Sequence, residues 1–326
     1  MRRQTETDDI IDLLSSEYGI IPDSITAAPT GFSAKAAYRA VGADGNEYYL
    51  KIYDKSLPTT RFFVGRIDVY MPALDKLSAL PALSGRVLNP VRTRSGAYKA
   101  ETDSDAYVLF LFVNGFVPGI QGMTHGQTVE LAETLALLHE VGEAVPFDTP
   151  GLAEDISLSF CERLIQFLDW LNTGYGGLFD IILPHKDMLF SAAEEALRLR
   201  DTVRTGCSHL VLCHGDAHGN NLIQSERLVL VDWEDLRIAP PEADLFIYAW
   251  HKYGDTLLEA YSVARKGYKI NRELLYFYIL RRRIEDVWVD IERLIEEAPD
   301  EAETAKLLGW VSLGIEEVRK IYQVER

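Results

Sequence analysis

Three cysteines in 326 residues, Cys161, Cys207 and Cys213, are too few and too widely spaced for a disulfide framework or a zinc centre. Their scarcity suits a reducing cytoplasm. No apolar run comes near the roughly 20 residues that a membrane span requires. The longest, around Tyr107 to Val113, is of strand length, so no membrane partner is expected. The opening Met1-Arg2-Arg3-Gln4-Thr5-Glu6 turns acidic at once and lacks the apolar core of a signal peptide. Basic residues are also short: 33 Lys and Arg stand against 50 Asp and Glu, a formal net charge of −17. Such a surface keeps a protein soluble and repels nucleic acid, and it would attract a cationic small molecule. There is no internal repeat, no low-complexity tract and no G-x-G-x-x-G loop.

What is present describes an ordinary folded chain. Hydrophobic residues make up 47% and charged residues 25%, which excludes disorder. The length exceeds what one simple core needs and suits two lobes. Ile10, Ile11, Leu13 and Leu14 recur at helical spacing between Asp9 and Tyr18. Strand-like segments follow, Tyr38 to Val41 and Glu47 to Tyr53, with Asp44-Gly45 as a hairpin turn between them. A helix is expected near Phe62 to Leu80 and a buried strand at Tyr107 to Val113, before Asn114-Gly115 breaks the pattern. Beyond that point apolar residues recur with helical period, through Leu131, Leu135 and Leu138, then Phe160 to Trp170, Ala192 to Leu199, Leu274 to Leu294 and Leu307 to Ile321. The organisation is therefore α+β, with a β-rich part over residues 1–113 and a mostly helical part over residues 114–326.

One β-rich island interrupts the helical part. It runs Val211-Leu212-Cys213-His214-Gly215-Asp216-Ala217-His218-Gly219-Asn220-Asn221-Leu222-Ile223, then Leu228-Val229-Leu230-Val231-Asp232-Trp233. Each polar cluster sits between apolar runs, so the polar residues fall on tips between buried strands. Phosphoryl transfer needs groups in this pattern. One carboxylate orients an acceptor hydroxyl and takes its proton, while another, with an amide oxygen, holds Mg2+ against the phosphates. H-x-D-x-x-x-x-N followed by a strand and a second Asp offers them in order.

These residues resemble the catalytic loop and metal-binding Asp of the aminoglycoside phosphotransferase and choline kinase group, the protein-kinase-like small-molecule kinases. Within that group the chain is most similar to spectinomycin-type phosphotransferases, on the wording of Asp232-Trp233-Glu234, Glu242-Ala243-Asp244-Leu245 and Arg283-Ile284-Glu285-Asp286. The resemblance covers most of the chain, with its specific motifs concentrated between Val211 and Asp244. It implies a two-lobe kinase-like fold, with nucleotide bound by residues 1–113 and the catalytic loop, metal site and acceptor pocket in residues 114–326. It further implies ATP or GTP as co-substrate, with Mg2+ as cofactor. Asp216 becomes the catalytic carboxylate, Asn221 and Asp232 the Mg2+ ligands, and His214 a histidine that shapes the loop through backbone bonds.

The resemblance also assigns the remaining parts. Lys51, alone in the apolar strand Tyr48 to Tyr53, needs anionic partners, since an unpaired ammonium is costly to bury. It would hold the α- and β-phosphates and pair with a carboxylate on the following helix, Asp68 in preference to Asp75. Gly31 and Ser33 would cover the phosphates from Thr30-Gly31-Phe32-Ser33-Ala34-Lys35. Glu234, Asp235, Glu285 and Asp286 could receive the ammonium groups of an aminoglycoside or aminocyclitol acceptor, which would make the protein an antibiotic-resistance kinase. Glu285 and Asp286 are neighbours on a helix and point about 100° apart, so both cannot face one pocket squarely. A metabolic kinase for choline, homoserine or a sugar is the alternative, and a pseudokinase-like nucleotide-binding module a further one. A protein kinase is disfavoured: H-R-D and D-F-G are missing, and Asp232 leads quickly to Pro240-Pro241, without room for a long activation segment. His218 and His139 read as structural.

Overall fold

A computed structural model describes residues 2–30, 34–144, 151–206, 209–249, 251–297 and 299–324. Helix α1 (Arg2–Leu13) runs into a single π turn, Leu14–Tyr18, closed by Gly19 in the left-handed region. Then come β1 (Pro22–Ala28), β2 (Ala36–Gly42) and β3 (Glu47–Asp54), the last two joined through the expected Asp44-Gly45 turn. Helix α2 (Pro58–Ser78) leads to the short β4 (Pro90–Val91) and β5 (Ala100–Glu101) and to β6 (Asp105–Leu111). All six strands form one antiparallel sheet, in the order β1-β2-β3-β6-β4, with β5 also on β6.

Period-two alternation divides β3 between two environments. Tyr48, Leu50 and Ile52 face a cluster containing Ile10, Leu14 and Tyr18 of the N-terminal helical segment, with Ala40 of β2 and Leu109 of β6. Tyr49, Lys51 and Tyr53 take the opposite face. A slip of one residue would turn Lys51 into that apolar cluster, so burial of the Tyr48, Leu50 and Ile52 face fixes the register that places the lysine. β6 ends at Leu111, two residues before the apolar run does, although the Phe112 amide still bonds to the Glu47 carbonyl of β3 at 2.9 Å. Sequence periodicity did not reveal β1. It is an edge strand with no fully buried position and so carries no alternation to read.

The chain continues through α3 (His125–Ala144), α4 (Ser159–Trp170), α5 (Gly177–Ile182) and α6 (Lys186–Gly206). The island supplies β7 (Val211–Cys213), β8 (Leu222–Gln224), β9 (Leu228–Leu230) and β10 (Arg237–Ala239), with β8 paired to β9 and β10 to β7. Four helices close the chain: α7 (Glu242–Ala249), α8 (Gly254–Ala264), α9 (Arg272–Glu296) and α10 (Glu301–Val324).

Tertiary contacts divide the chain into two compact units. One comprises Met1–Ala153, Val211–Ala239 and His251–Tyr268; the other comprises Glu154–Leu210, Pro240–Trp250 and Lys269–Arg326. The first therefore holds both the large sheet and the polar island. This division by contacts differs from the boundary at residue 113, which follows the change from strand-like to helical sequence. Within the first unit, α3 packs against β7 through Gly142, where a Cβ would stand 2.5 Å from the Leu212 amide nitrogen. Only glycine permits that approach, and it seats the strand that leads into His214-Gly215-Asp216. Within the second unit, α9 packs on α4, α6, α7 and α10. Asn271 caps α9 by accepting from the amides of Glu273 and Leu274. The buried carboxylate of Glu154 accepts from Tyr278 Oη at 2.6 Å and Arg281 Nη1 at 2.5 Å.

Candidate active site

The island folds as two tips held side by side. β7 ends at Cys213 and β10 begins at Arg237, and these two residues are register partners, so the segments His214–Gly215–Asp216 and Asp232–Trp233–Glu234 emerge from the same end of one ribbon. A second stitch joins the tips, from the Val231 amide to the Asn221 carbonyl at 3.0 Å. His214, fully buried, ties them again. Its Nε2 lies 2.9 Å from the Val231 carbonyl, while its Nδ1 accepts from the Asp216 amide at 3.2 Å. Both nitrogens are thus engaged with backbone, which fixes the neutral tautomer with its proton on Nε2.

Two backbone positions in the tips are under constraint. Gly215 adopts φ 86°, and a Cβ there would meet the Asp235 carbonyl oxygen at 2.4 Å and the Arg237 guanidinium at 2.6 Å. Arg237 Nη2 in turn donates to the Gly215 carbonyl at 3.0 Å. Gly215→Ala should therefore cost about 1–3 kcal/mol from backbone conformation alone, with the clash in addition. Denaturant unfolding measures this, and an unchanged midpoint would mean that the loop relaxes freely. Asp232 is left-handed as well, at φ 61° and ψ 66°. Strain of this kind at a non-glycine residue persists where the surroundings enforce it and is concentrated at functional sites.

Asp216 follows Gly215 directly. Its Oδ2 accepts from Asn221 Nδ2 at 2.8 Å, and the same amide nitrogen reaches the Asp216 carbonyl at 2.9 Å. Asn221 closes a short 3-10 turn, Gly219–Asn221, and is buried. With its nitrogen turned to Asp216, its Oδ1 is the atom that remains to serve as a ligand. His218 Nε2 lies 3.4 Å from Asp216 Oδ2, which fits its reading as a residue that holds the loop.

Lys51 reaches into the second tip. Only 2% of the residue is exposed, and its Nζ contacts Asp232 Oδ1 at 2.9 Å and Glu234 Oε1 more closely still. Burial alone would push its pKa down, but the carboxylates of Glu234 and Asp232 outweigh it and hold the ammonium charged. Glu234, 6% exposed, also accepts from Tyr53 Oη at 2.7 Å. Its burial favours the acid form, and Lys51 reverses that, so its pKa lies below the usual carboxylate range. Arg66 of α2 donates to the carbonyls of Glu234 and Leu236, both at 2.7 Å. Trp233, between the two acids, is buried, bonds through Nε1 to the Leu230 carbonyl at 2.9 Å, and lies against His214. It packs in the interior of the tip.

Several expectations are corrected by this geometry. Asp68 does not pair with Lys51: its side chain is 61% exposed and bonds to Lys99 Nζ at 2.9 Å. It sits about 100° around α2 from Ile67, which is wholly buried, so the helix turns it outward. Asp75 is not the partner either, being held by Arg92 and by Tyr98 Oη at 2.9 Å. Glu234 is not available to an acceptor, because its buried carboxylate is occupied by Lys51 and Tyr53. Asp286 is engaged by Arg282 at 2.9 Å and Arg283 at 3.4 Å on its own helix. Asp235 is partly exposed, 3.9 Å from Arg237. Glu285 is half-buried near Cys161, whose thiol pKa is pushed up to about 12 by burial first and by the Glu285 charge second. Gly31 and Ser33 lie outside the described residues. Tyr53 and Arg66 were missed. For Tyr53 a signal existed, since it follows Lys51 by two residues and shares its strand face; for Arg66 there was none.

Residues 24–277 match the family model described as the phosphotransferase enzyme family. The chain belongs to that family. It is therefore an enzyme of a class that transfers a phosphoryl group to a hydroxyl. No curated protein matches it in sequence. Solved structures match over nearly its whole length. Spectinomycin phosphotransferase APH(9)-Ia, in complex with ADP and spectinomycin, is 16% identical, with a TM-score of 0.72 over 97% of this chain and 98% of that one. The GDP complex of aminoglycoside 2'-phosphotransferase-IIIa is 14% identical, with a TM-score of 0.67 over 98% and 99%. Amicoumacin kinase hAmiN, in complex with AMP-PNP, Ca2+ and Ami, is 11% identical, with a TM-score of 0.63 over 97% and 96%. At these identities the likeness speaks for the fold, a protein-kinase-like α+β fold with an N-terminal antiparallel sheet and a mostly helical remainder, as the sequence led us to expect. Among the described residues no helix is long and apolar enough to cross a membrane, and Cys161 and Cys213 are buried and not disulfide-bonded.

Proposed function

We propose that this phosphotransferase is a small-molecule kinase that moves the γ-phosphoryl of ATP or GTP to an acceptor hydroxyl at Asp216. The observation that carries the reading is the pairing of two carboxylates in different settings on adjoining tips. Asp216 is oriented by an amide donor, while Asp232 is held in a left-handed turn against a buried lysine. Phosphoryl transfer requires these two roles to be separate. Asp216 would accept the hydrogen of the acceptor hydroxyl and align its oxygen for in-line attack. Asn221 keeps that carboxylate in place through its nitrogen and offers its oxygen to the opposite side. Lys51 would bind phosphate oxygens, and the backbone around Gly31 and Ser33 would cover them. In this reading residues 1–113 serve the nucleotide and residues 114–326 carry the catalytic loop and the acceptor pocket.

The donor set suits Mg2+. Asn221 Oδ1 and the Asp232 carboxylate are hard oxygen ligands of the kind that ion takes together with phosphate oxygens. An ammonium already sits on Asp232, which marks the position as one that attracts cations. When bound, the ion would neutralise charge on the phosphates. Cys161 and Cys213, buried and without a disulfide, fit an enzyme of the reducing cytoplasm.

The acceptor class is the finer part of the reading. A chain of net charge −17 draws cations, so an aminoglycoside or aminocyclitol is the first candidate, with the partly exposed Asp235 beside the second tip as an acid to receive an ammonium group. The occupation of Glu234 and Asp286 by cations of the chain itself favours a second candidate, a metabolic alcohol such as choline, homoserine or a sugar. Turnover of ATP and GTP by the purified protein against a panel of aminoglycosides, aminocyclitols and amino-alcohols decides between them. For a polycationic acceptor, KM should rise with added salt, and neutralising Asp235 should raise KM for the acceptor and leave KM for ATP unchanged. A neutral alcohol as the only good acceptor would end the antibiotic reading.

A further inference from the structure

Lys51 lies in a strand of the large sheet, 181 residues before Asp232 and 183 before Glu234, yet both acids reach its one ammonium. They do so unequally. Glu234 is buried, is held in place by Tyr53 Oη, and has its backbone fixed by Arg66 through the carbonyls of Glu234 and Leu236. Asp232 is more open, with 34% of its side chain exposed, and stands in a left-handed conformation. A lysine carrying one charge thus has a fixed partner and an exchangeable one. The helix α2, which should supply the fixed partner, instead sends Asp68 to Lys99 and Asp75 to Arg92.

We propose that Glu234 is the standing anchor of Lys51, a positioning residue that keeps the ammonium paired while Asp232 is released to bind metal. The inference rests on the kinase reading above, in which Lys51 meets phosphate and Asp232 meets Mg2+. Its physical basis is charge accounting in a buried site. Three charges, one positive and two negative, share the space, and removing Asp232 to a metal leaves a neutral Lys51–Glu234 pair that needs no further compensation. Without Glu234 the ammonium and the metal would compete for the single carboxylate of Asp232. Tyr53, which donates to the same Glu234 oxygen, fixes the direction from which Lys51 approaches.

Equilibrium binding of MgATP and of adenosine to the full chain tests this, together with the Mg2+ concentration needed for half-maximal ATP binding. Glu234→Gln keeps the shape and removes the charge. It should raise Kd for MgATP by about 10-fold, the scale of one charge-assisted hydrogen bond, raise the Mg2+ requirement in parallel, and leave adenosine affinity unchanged. In a Lys51→Met background the same substitution should have no further effect, since Glu234 acts through Lys51. Should Glu234→Gln not fold, Tyr53→Phe carries the same expectations on a smaller scale. Wild-type MgATP affinity and Mg2+ requirement in the variant would overturn the proposal, as would an equal loss of adenosine binding or an undiminished effect without Lys51. A wild-type protein that binds no MgATP would instead overturn the kinase reading, and this inference with it.

Discussion

Asp216→Asn should lower kcat for the true acceptor by about 100-fold or more, with folding and MgATP affinity close to wild type. The substitution is nearly isosteric, so the loop that Gly215 and His214 shape has no steric reason to move. It removes the negative charge, and with it the ability to accept a proton. An asparagine at this position can still take the hydrogen bond from Asn221 Nδ2 through its amide oxygen, which satisfies the neighbour that holds Asp216 now. Loss of rate without loss of nucleotide binding is the signature of a group that acts on the acceptor side alone. Steady-state kinetics with the acceptor found by the panel, paired with calorimetry for MgATP, provides both numbers. Wild-type turnover in the Asn variant would remove Asp216 from the chemistry.

Asp232→Ala should abolish productive MgATP binding, and Asn221→Ala should weaken it and raise the Mg2+ requirement. Alanine at residue 232 also meets a backbone penalty, because φ 61° disfavours most side chains. Asp232→Asn separates the two effects, since asparagine tolerates the left-handed region and lacks only the charge. It should raise Kd for MgATP at least about 100-fold and change binding of metal-free nucleotide far less, because Lys51 remains paired with Glu234. Unfolding of Asp232→Asn should stay near wild type, whereas Asp232→Ala should unfold somewhat earlier. Calorimetry with and without Mg2+ checks the contrast. Unchanged MgATP affinity in Asp232→Asn would exclude the residue from the metal site.

Both predictions concern residues whose grouping was legible in the sequence, for a local reason. Asp216, Asn221 and Asp232 lie within 17 positions of one another, on two turns of one short ribbon, and the turns need little beyond their own chain to form. The spacing of His214, Asp216 and Asn221 largely fixes how they meet: one carbonyl, one ring and one amide close the loop on itself. Helix periodicity likewise exposed the long helices α3, α9 and α10, because each buries one continuous face.

Pairing across the chain was not legible in this way. A lone lysine in an apolar strand announces that it needs an anion, but not which one. Asp68 was the nearer choice in sequence, and helical geometry turned it outward to Lys99. Glu234 carried the opposite error. As a solvent-side acid it would have met a substrate, yet it is buried on Lys51 and Tyr53. Asp286 found its cations one turn away on the same helix. Local spacing grouped two carboxylates and an amide in the order that phosphoryl transfer would need. Which charges are spent inside the fold, and which remain for a ligand, was decided by tertiary structure alone. A charged group's partner depends on which elements are brought within a few ångströms of it, and burial then makes that pairing compulsory.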